Sequence, residues 1–443
     1  MIALEKAKHP LKGDVFVPGD KSISHRSIMF GALAKGTTEI TGFLNSADCL
    51  STIDCFRKLG IHIDHTIRPT NGVPTITVHG NGLHGLKAPS ETLYTGNSGT
   101  TTRLMAGILV AQPFDSNITG DMSIEKRPMN RIIKPLSQMG ADISSLMDNG
   151  CAPLVIKGGK RLRGITYRNP IASAQVKSAI VLAGLYADGD TVVYEPALSR
   201  NHTETMLTMF GADIHNELAR DGSAAAILHP GMPLHGIKIN VPGDISSAAY
   251  FMAAALMVPD SELLIRNVGI NQTRTGIITV LRQMGADITL LNETNDSEPR
   301  ADILVKYSEL HGNENGIFEI GGKDIPTMID ELPVVAVVAA TGNFDTIIKD
   351  AAELKAKESD RIATVVDNLK AMGCDIEATD DGMIIHGGKP LHGADIHSHD
   401  DHRLAMSFAV ASLAATGTTR ILDDGCVGIS YPSFFKDFQA IVN

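Results

Sequence analysis

One phrase recurs along the chain. "LSQMGADI" ends at Ile143, "LTMFGADI" at Ile214, "LRQMGADI" at Ile288 and "LKAMGCDI" at Ile376, with "FRKLGIHI" at Ile63 a looser copy. Each reads as the last turn of an amphipathic helix, a left-handed glycine that stops it, and the start of a strand. The marker glycines are Gly60, Gly140, Gly211, Gly285 and Gly373. They recur about every 70 to 90 residues, which is the signature of a structural repeat. The stretch after Gly373 leaves room for a sixth unit closing on "YPSFFKDFQAIVN". Six units divide as three plus three, and a second repeat marks the division: "VPGD" at 17–20 returns at 241–244. The expected architecture is α/β, in two similar halves. One domain is discontinuous, residues 1–16 plus 242–443, and the other, 17–241, is inserted into it. Two crossover hinges lie near the VPGD copies.

Long apolar helices are expected to begin at polar clusters. "GDKSISHRSIMFGALAKG" is one, and "TGNSGTTTRLMAGILV" another, with Asn97 and Ser98 as cap candidates. Others start at Ser173, after Asp330 with Pro333 in the first turn, near Lys357 and near Asp401. Three of these starts carry cations: Lys21 and Arg26, Lys357 and Arg361, and Arg403. A cation in a first turn opposes the positive end of the helix dipole, so something negative is expected to be supplied there from outside. Only the first VPGD copy is charged in this way. The second runs into Ser246, Ser247 and alanines.

Composition narrows the function classes. Hydrophobic residues make up 43% and there is no Trp, so aliphatic side chains fill the core. A formal charge of −11 argues against a broad nucleic-acid surface. The five cysteines show neither a CxxC pair nor zinc spacing, which reads as reduced thiols in a cytoplasmic protein. No apolar run is long enough to span a bilayer, and "MIALEKAKHPLKGD" has no signal-like stretch. "NETNDSEPRAD" (292–302) reads as a surface loop.

The motifs "VPGDKSISHR", "GNSGTTTRL", "EKRP", "SAQVKSA", "KESDR" and "DDHRLAM", in this order, closely resemble those of the 5-enolpyruvylshikimate-3-phosphate synthase family. The resemblance covers essentially the whole chain. It implies two domains, each of three βαβαββ units around a pseudo-threefold axis, with a cleft between them. It implies transfer of the enolpyruvyl group of phosphoenolpyruvate to the 5-hydroxyl of shikimate 3-phosphate, with no metal or cofactor. By the same resemblance Lys21, Ser22, Arg26, Ser173, Ala174, Gln175, Arg200, Asp330 and Lys357 hold shikimate 3-phosphate. Lys21, Asn97, Gly99, Arg127, Gln175, Arg361 and Arg403 hold phosphoenolpyruvate. Lys21, Asp330 and Glu358 are the implied catalytic groups, with Asp330 suited to act as base on the hydroxyl and Glu358 as proton donor to C3. The two small molecules are the expected partners of a monomer, with no membrane and no nucleic acid involved. Gly99 is expected to leave room for glyphosate, the family's inhibitor.

Ala174, Arg200 and Ile429 depart from other members, which use Ser, Tyr and Lys there, and suggest a divergent bacterial branch. The nearest rival, a UDP-N-acetylglucosamine enolpyruvyl transferase, typically carries a Cys where this chain has Met122. A phosphate-end cyclase would share related repeats, but its nucleic-acid partner fits the acidic balance poorly. His397, His399, Asp401 and His402 have donor types suited to a metal, though on a loop whose His-X-His spacing is commonly incidental.

Overall fold

The five marker glycines each follow a helix and adopt φ between 84° and 102° in the computed structural model, which describes residues 1–67, 74–295 and 298–442. The left-handed turn reverses the chain so that helix and next strand pack against each other. The chain divides into two units, Met1–Pro18 with Pro242–Asn443, and Gly19–Val241.

In the Gly19–Val241 unit, residues 93–157 give the repeat in its simplest form. Strand Leu93–Tyr94 lies parallel to Ser116–Thr119, which pairs antiparallel with Leu154–Lys157, and that with Asp142–Ser145. Helices Gly99–Leu109 and Asn130–Gln138 connect them, so the order is βαβαββ. Residues 166–229 repeat it with strands Thr166–Arg168, Thr191–Glu195, Asp213–Leu218 and Ala224–His229 and helices Ala174–Gly184 and His202–Phe210. The remaining repeat is split. Helix Lys21–Leu33, strand Lys35–Thr41, helix Ala47–Lys58 and hairpin His62–Ile67/Pro74–Asn81 open the unit. Its first strand, Lys238–Asn240, comes from the other end and lies parallel to Lys35–Thr41.

Two periodicities build these layers. Along the hairpin Ile63, Ile76 and Val78 are buried while His62 and Asp64 face solvent, a period of two. Helices Lys21–Leu33, Gly99–Leu109 and Ala174–Gly184 are buried almost all round and form the centre of one aliphatic core. A side chain at Gly107 would sit 2.2 Å from the Ala179 carbonyl oxygen, so glycine sets how closely two of these helices approach.

The second unit repeats the plan. Its inner helices are Ile245–Met257, Leu332–Thr341 and His402–Ala411, around a separate core. Strand Lys12–Phe16 pairs parallel with Glu262–Gly269, next to Arg300–Lys306 and Asp287–Thr294. Strands Ile317–Ile320, Asp345–Ile348, Met383–His386 and Asp375–Ala378 form the next sheet. The last repeat has only Asp395–Ile396 and Thr419–Ile421 before helix Phe434–Val442, and the N-terminal strand Ile2–Leu4 completes its sheet. Among the described residues no helix is long and apolar enough to cross a membrane.

Three sequence expectations change. The break falls after Pro18 rather than before Val17, because the Val17 side chain packs over Gly243 and the Pro18 carbonyl accepts from Asp244 N. Most of 292–302 is not loop: 292–294 and 300–302 lie in paired strands, where ladder hydrogen bonds override polar composition, and 296–297 lie outside the described residues. Lys357 and Glu358 precede their helix, Arg361–Ala371, which is capped by Asp360.

Candidate active site

Every cationic helix start is also capped by a carboxylate. Asp20 accepts from Ile23 N, Asp360 from Ala363 N and Asp401 from Arg403 N. Each of those aspartates satisfies one free N–H group and offsets part of the dipole beside the cation. Carboxylates also pair with Lys21, Lys357, Arg361 and Arg403 themselves.

In the Gly19–Val241 unit, Lys21 opens its helix and forms an ion pair with Asp48, from the first turn of helix Ala47–Lys58. Arg26 lies one turn further in, buried. Its Nε donates to Thr203 Oγ1 at 2.8 Å, Nη2 to Ser178 Oγ at 3.1 Å and Nη1 to the Ser22 carbonyl at 3.0 Å. Ser22 is half-buried on the same turn. His25, between them, is fully buried, and burial, then Lys21 and Arg26, hold its pKa well below 6.5. Helix Gly99–Leu109 begins beside Arg127, whose Nη2 donates to Asn97 Oδ1 at 3.2 Å and Ser123 Oγ at 3.1 Å. Asn97 in turn donates to Asp121 at 2.9 Å. Gln175 joins this group: Arg103 Nη1 donates to its Oε1 at 2.6 Å, and its Nε2 donates to Thr100 Oγ1 at 3.1 Å. Ser173 occupies the cap position of helix Ala174–Gly184, but its hydroxyl caps no backbone N–H. Ser173, Ala174 and Arg200 are half-buried.

Beneath that helix start lies a buried charge cluster. Lys177 Nζ is 2.8 Å from both Glu195 Oε2 and Glu204 Oε1, and all three side chains are at most 2% exposed. Ser199 donates to Glu195 at 2.7 Å, tying down the turn that carries Arg200.

In the second unit Asp330 is the focus. Lys357 Nζ lies 3.3 Å and Arg361 Nη1 3.1 Å from its Oδ1, and Arg403 Nη2 lies 3.7 Å from Oδ2. Arg361 is 1% exposed and also reaches Glu358 at 2.6 Å and Asp401 at 2.8 Å. Burial works against its charge, but Asp401, Glu358 and Asp330 outweigh it and raise its pKa above the usual guanidinium value. Arg403 follows the same logic: burial opposes the charge, while Asp330, Tyr250 and Glu331 restore it. Asp401 is thereby committed to arginine. Among the described residues it does not gather with His397, His399 and His402 as a set of metal donors.

The second VPGD copy has its own cation, supplied from another segment. Arg274 pairs with Asp244 at 3.2 Å and donates to Ser246 Oγ at 2.7 Å, and Ser246 donates to Glu331. Ile245 and Tyr250 stand where the first copy has Lys21 and Arg26.

The structure thus groups Lys21, Ser22 and Arg26, and separately Asn97, Gly99, Arg127 and Gln175. In the other unit it groups Asp330, Lys357, Glu358, Arg361 and Arg403. Ile429 lies in a short 3-10 helix, Asp424–Ile429, partly buried against the core of its unit. Sequence reasoning missed Arg103, although it lies one turn after Gly99 inside a motif already singled out. It missed Asp48, Lys177 and Arg274, whose partners are distant in sequence.

The EPSP synthase (3-phosphoshikimate 1-carboxyvinyltransferase) family model matches residues 5–438. The chain belongs to the EPSP synthase family. A 3-phosphoshikimate 1-carboxyvinyltransferase of Brevibacillus brevis is 54% identical over 98% of each chain, and one of Geobacillus kaustophilus is 52% identical over 98% of each. The solved structure of an EPSP synthase from Acinetobacter baumannii is 47% identical, with a TM-score of 0.85, covering 99% of this chain and 97% of that one. Membership makes the chain an enolpyruvyl transferase of the shikimate pathway with the two-domain βαβαββ fold, and it removes the sugar-nucleotide alternative.

Proposed function

We propose that the grouped helix-start residues carry the family reaction, transfer of the enolpyruvyl group from phosphoenolpyruvate to the 5-hydroxyl of shikimate 3-phosphate. Lys21, Ser22, Arg26, Ser173, Ala174, Gln175, Arg200, Asp330 and Lys357 hold the sugar-like substrate. Lys21, Asn97, Gly99, Arg127, Gln175, Arg361 and Arg403 hold phosphoenolpyruvate. The observation that carries this reading is the second-unit cluster, in which Lys357, Arg361 and Arg403 surround one carboxylate while Arg361 holds Glu358 beside it. Cations at such density suit substrates bearing two phosphates and two carboxylates.

The chemistry runs in two steps. Asp330 takes the proton of the 5-hydroxyl as its oxygen bonds to C2 of phosphoenolpyruvate, and C3 gains a proton from Glu358. The tetrahedral adduct then expels phosphate from C2, which leaves with the proton Asp330 had taken up, and Glu358 takes back a proton from C3, giving the enolpyruvyl ether and both carboxyl groups in their starting states. Arg361 donates to Glu358 at 2.6 Å, so Glu358 exchanges that contact for a proton before it acts as an acid. Five cysteines without a disulfide among them suit a cytoplasmic protein, and each unit having its own core suits a monomer.

Phosphate release tests the reading. It should require phosphoenolpyruvate and shikimate 3-phosphate together and fail when UDP-N-acetylglucosamine replaces the latter. Release with the sugar nucleotide, or with phosphoenolpyruvate alone, overturns the substrate assignment.

A further inference from the structure

The repeats share a charge pattern on the outer face of their sheets, and one repeat breaks it. In four repeats the residue two after the marker glycine is an aspartate, and the facing position on the neighbouring strand is a lysine or a histidine. The pairs are Asp142 with Lys157, Asp213 with His229, Asp287 with Lys306, and Asp375 with His386. Each of those lysines and histidines also has a carboxylate on its other side, at 2.8 to 3.3 Å. A central cation between two acids is the ordinary solution for an exposed strand triplet.

The first repeat has the hairpin without the pattern. Its marker glycine is Gly60, and two residues on stands His62, facing His79 across the ladder. On the other side of His79 the register places Thr37. Both acids that flank the central position elsewhere are absent from those places. The one carboxylate sits at Asp64, two residues along the same face as His62. Its Oδ1 is 3.2 Å from His62 Nε2 and its Oδ2 is 3.1 Å from His79 Nε2, with the two rings stacked 5.0 Å apart. The donor atoms of all three residues lie within 4.8 Å of one another.

We propose that His62, Asp64 and His79 form a binding site for a divalent transition metal of the zinc type. Two imidazole nitrogens and one carboxylate oxygen are a donor set that zinc accepts, with water at the fourth position. Tetrahedral ligands at about 2.0 to 2.1 Å stand about 3.3 Å apart; His62 and His79 now meet different oxygens of Asp64, with one donor atom from each residue within 4.8 Å of the others, so the set needs a modest contraction to enclose an ion. The imidazoles disfavour magnesium and calcium, which take oxygen donors. All three side chains are at least 44% exposed, so small ring rotations can bring the nitrogens together without disturbing the core. The site is at the end of the ladder away from the hairpin connection, on the face opposite the buried Ile63, Ile76 and Val78. It involves none of the residues assigned to the transferase reaction.

Zinc titration of the full chain by calorimetry tests the assignment, with cobalt absorbance reporting tetrahedral geometry. One zinc should bind tightly, and His62→Ala and His79→Ala should each weaken it at least about tenfold. His62→Thr, matching the uncharged Thr37 on the other side of His79, removes the donor on an exposed strand, so it should fold normally and lose the site. His229→Ala, at the matching position of a repeat that keeps the pattern, should leave zinc affinity unchanged. Wild-type binding weaker than about 1 mM overturns the proposal, as do equal affinities in wild type and His62→Thr. An equal loss in His229→Ala overturns it as well.

Discussion

A methyl group on Gly99 would stand 2.8 Å from Arg103 Nη1 and 3.0 Å from Arg127 Nη1. Gly99 is not among the residues with positive φ, so the helix start does not itself require glycine. What requires it is the space that two guanidinium groups occupy over the backbone. Gly99→Ala should therefore displace the arginines, raising the KM for phosphoenolpyruvate about tenfold with little change in melting temperature. Glyphosate, slightly longer than the substrate, should lose more affinity than phosphoenolpyruvate does. Equal losses in inhibition and substrate kinetics would assign the whole effect to the arginines. His25 gives a pH signature. Its Nδ1 is 2.7 Å from Thr52 Oγ1, and its folded pKa lies well below 6.5 because of burial first and then Lys21 and Arg26. The unfolded chain takes up a proton near that value which the fold refuses. The associated stability is full above about pH 6.5 and is lost as pH falls toward the folded pKa. Thermal melts between about pH 7 and pH 5 should show the decline, and it should be shallower in His25→Gln. An identical decline in that variant would place the effect on other groups.

At the scale of elements, helix Ala174–Gly184 is fastened by a buried lysine in its first turn. Lys177→Met would leave Glu195 and Glu204 buried without their shared cation, at a cost of about 3 to 5 kcal/mol, read as a lowered denaturation midpoint. A variant as stable as the parent would mean that the carboxylates find other partners. The helix starts, the Ser98 cap and the glycine turns were legible because each is written within a few consecutive residues, whereas the caps Asp20, Asp360 and Asp401, equally local, were overlooked beside the cations that follow them. The fastenings were not legible. Lys177 and Glu204 carry no local mark, and neither do Arg274 and Asp244 or Lys21 and Asp48, whose pairing exists only after distant segments pack. Strand Asp287–Thr294 misled for a related reason, since its polar end is held by the ladder to Arg300–Lys306 rather than by its own composition. The family resemblance supplied the roles, and the structure supplied the carboxylates that pair with the cations.

At the scale of the whole molecule, the Gly19–Val241 unit has its own core and closes its own sheets. Residues 19–241 expressed alone should melt cooperatively, whereas a piece ending at residue 230 lacks strand Lys238–Asn240 and should melt at lower temperature or not fold. Equal melting of both pieces would show that the closing strand contributes little. That closing strand also sets an order in time. A ribosome delivers Lys35–Thr41 early, yet the sheet containing it stays one strand short until Lys238–Asn240 has emerged. Strand Ile2–Leu4 waits longer still, because its partner is Thr419–Ile421, in the last repeat of the fold. The middle repeats, complete in themselves, can settle while the chain is still being made. Segments made early are the last to find their places, and strand Ile2–Leu4 stays an unpaired edge until Thr419–Ile421 has been made.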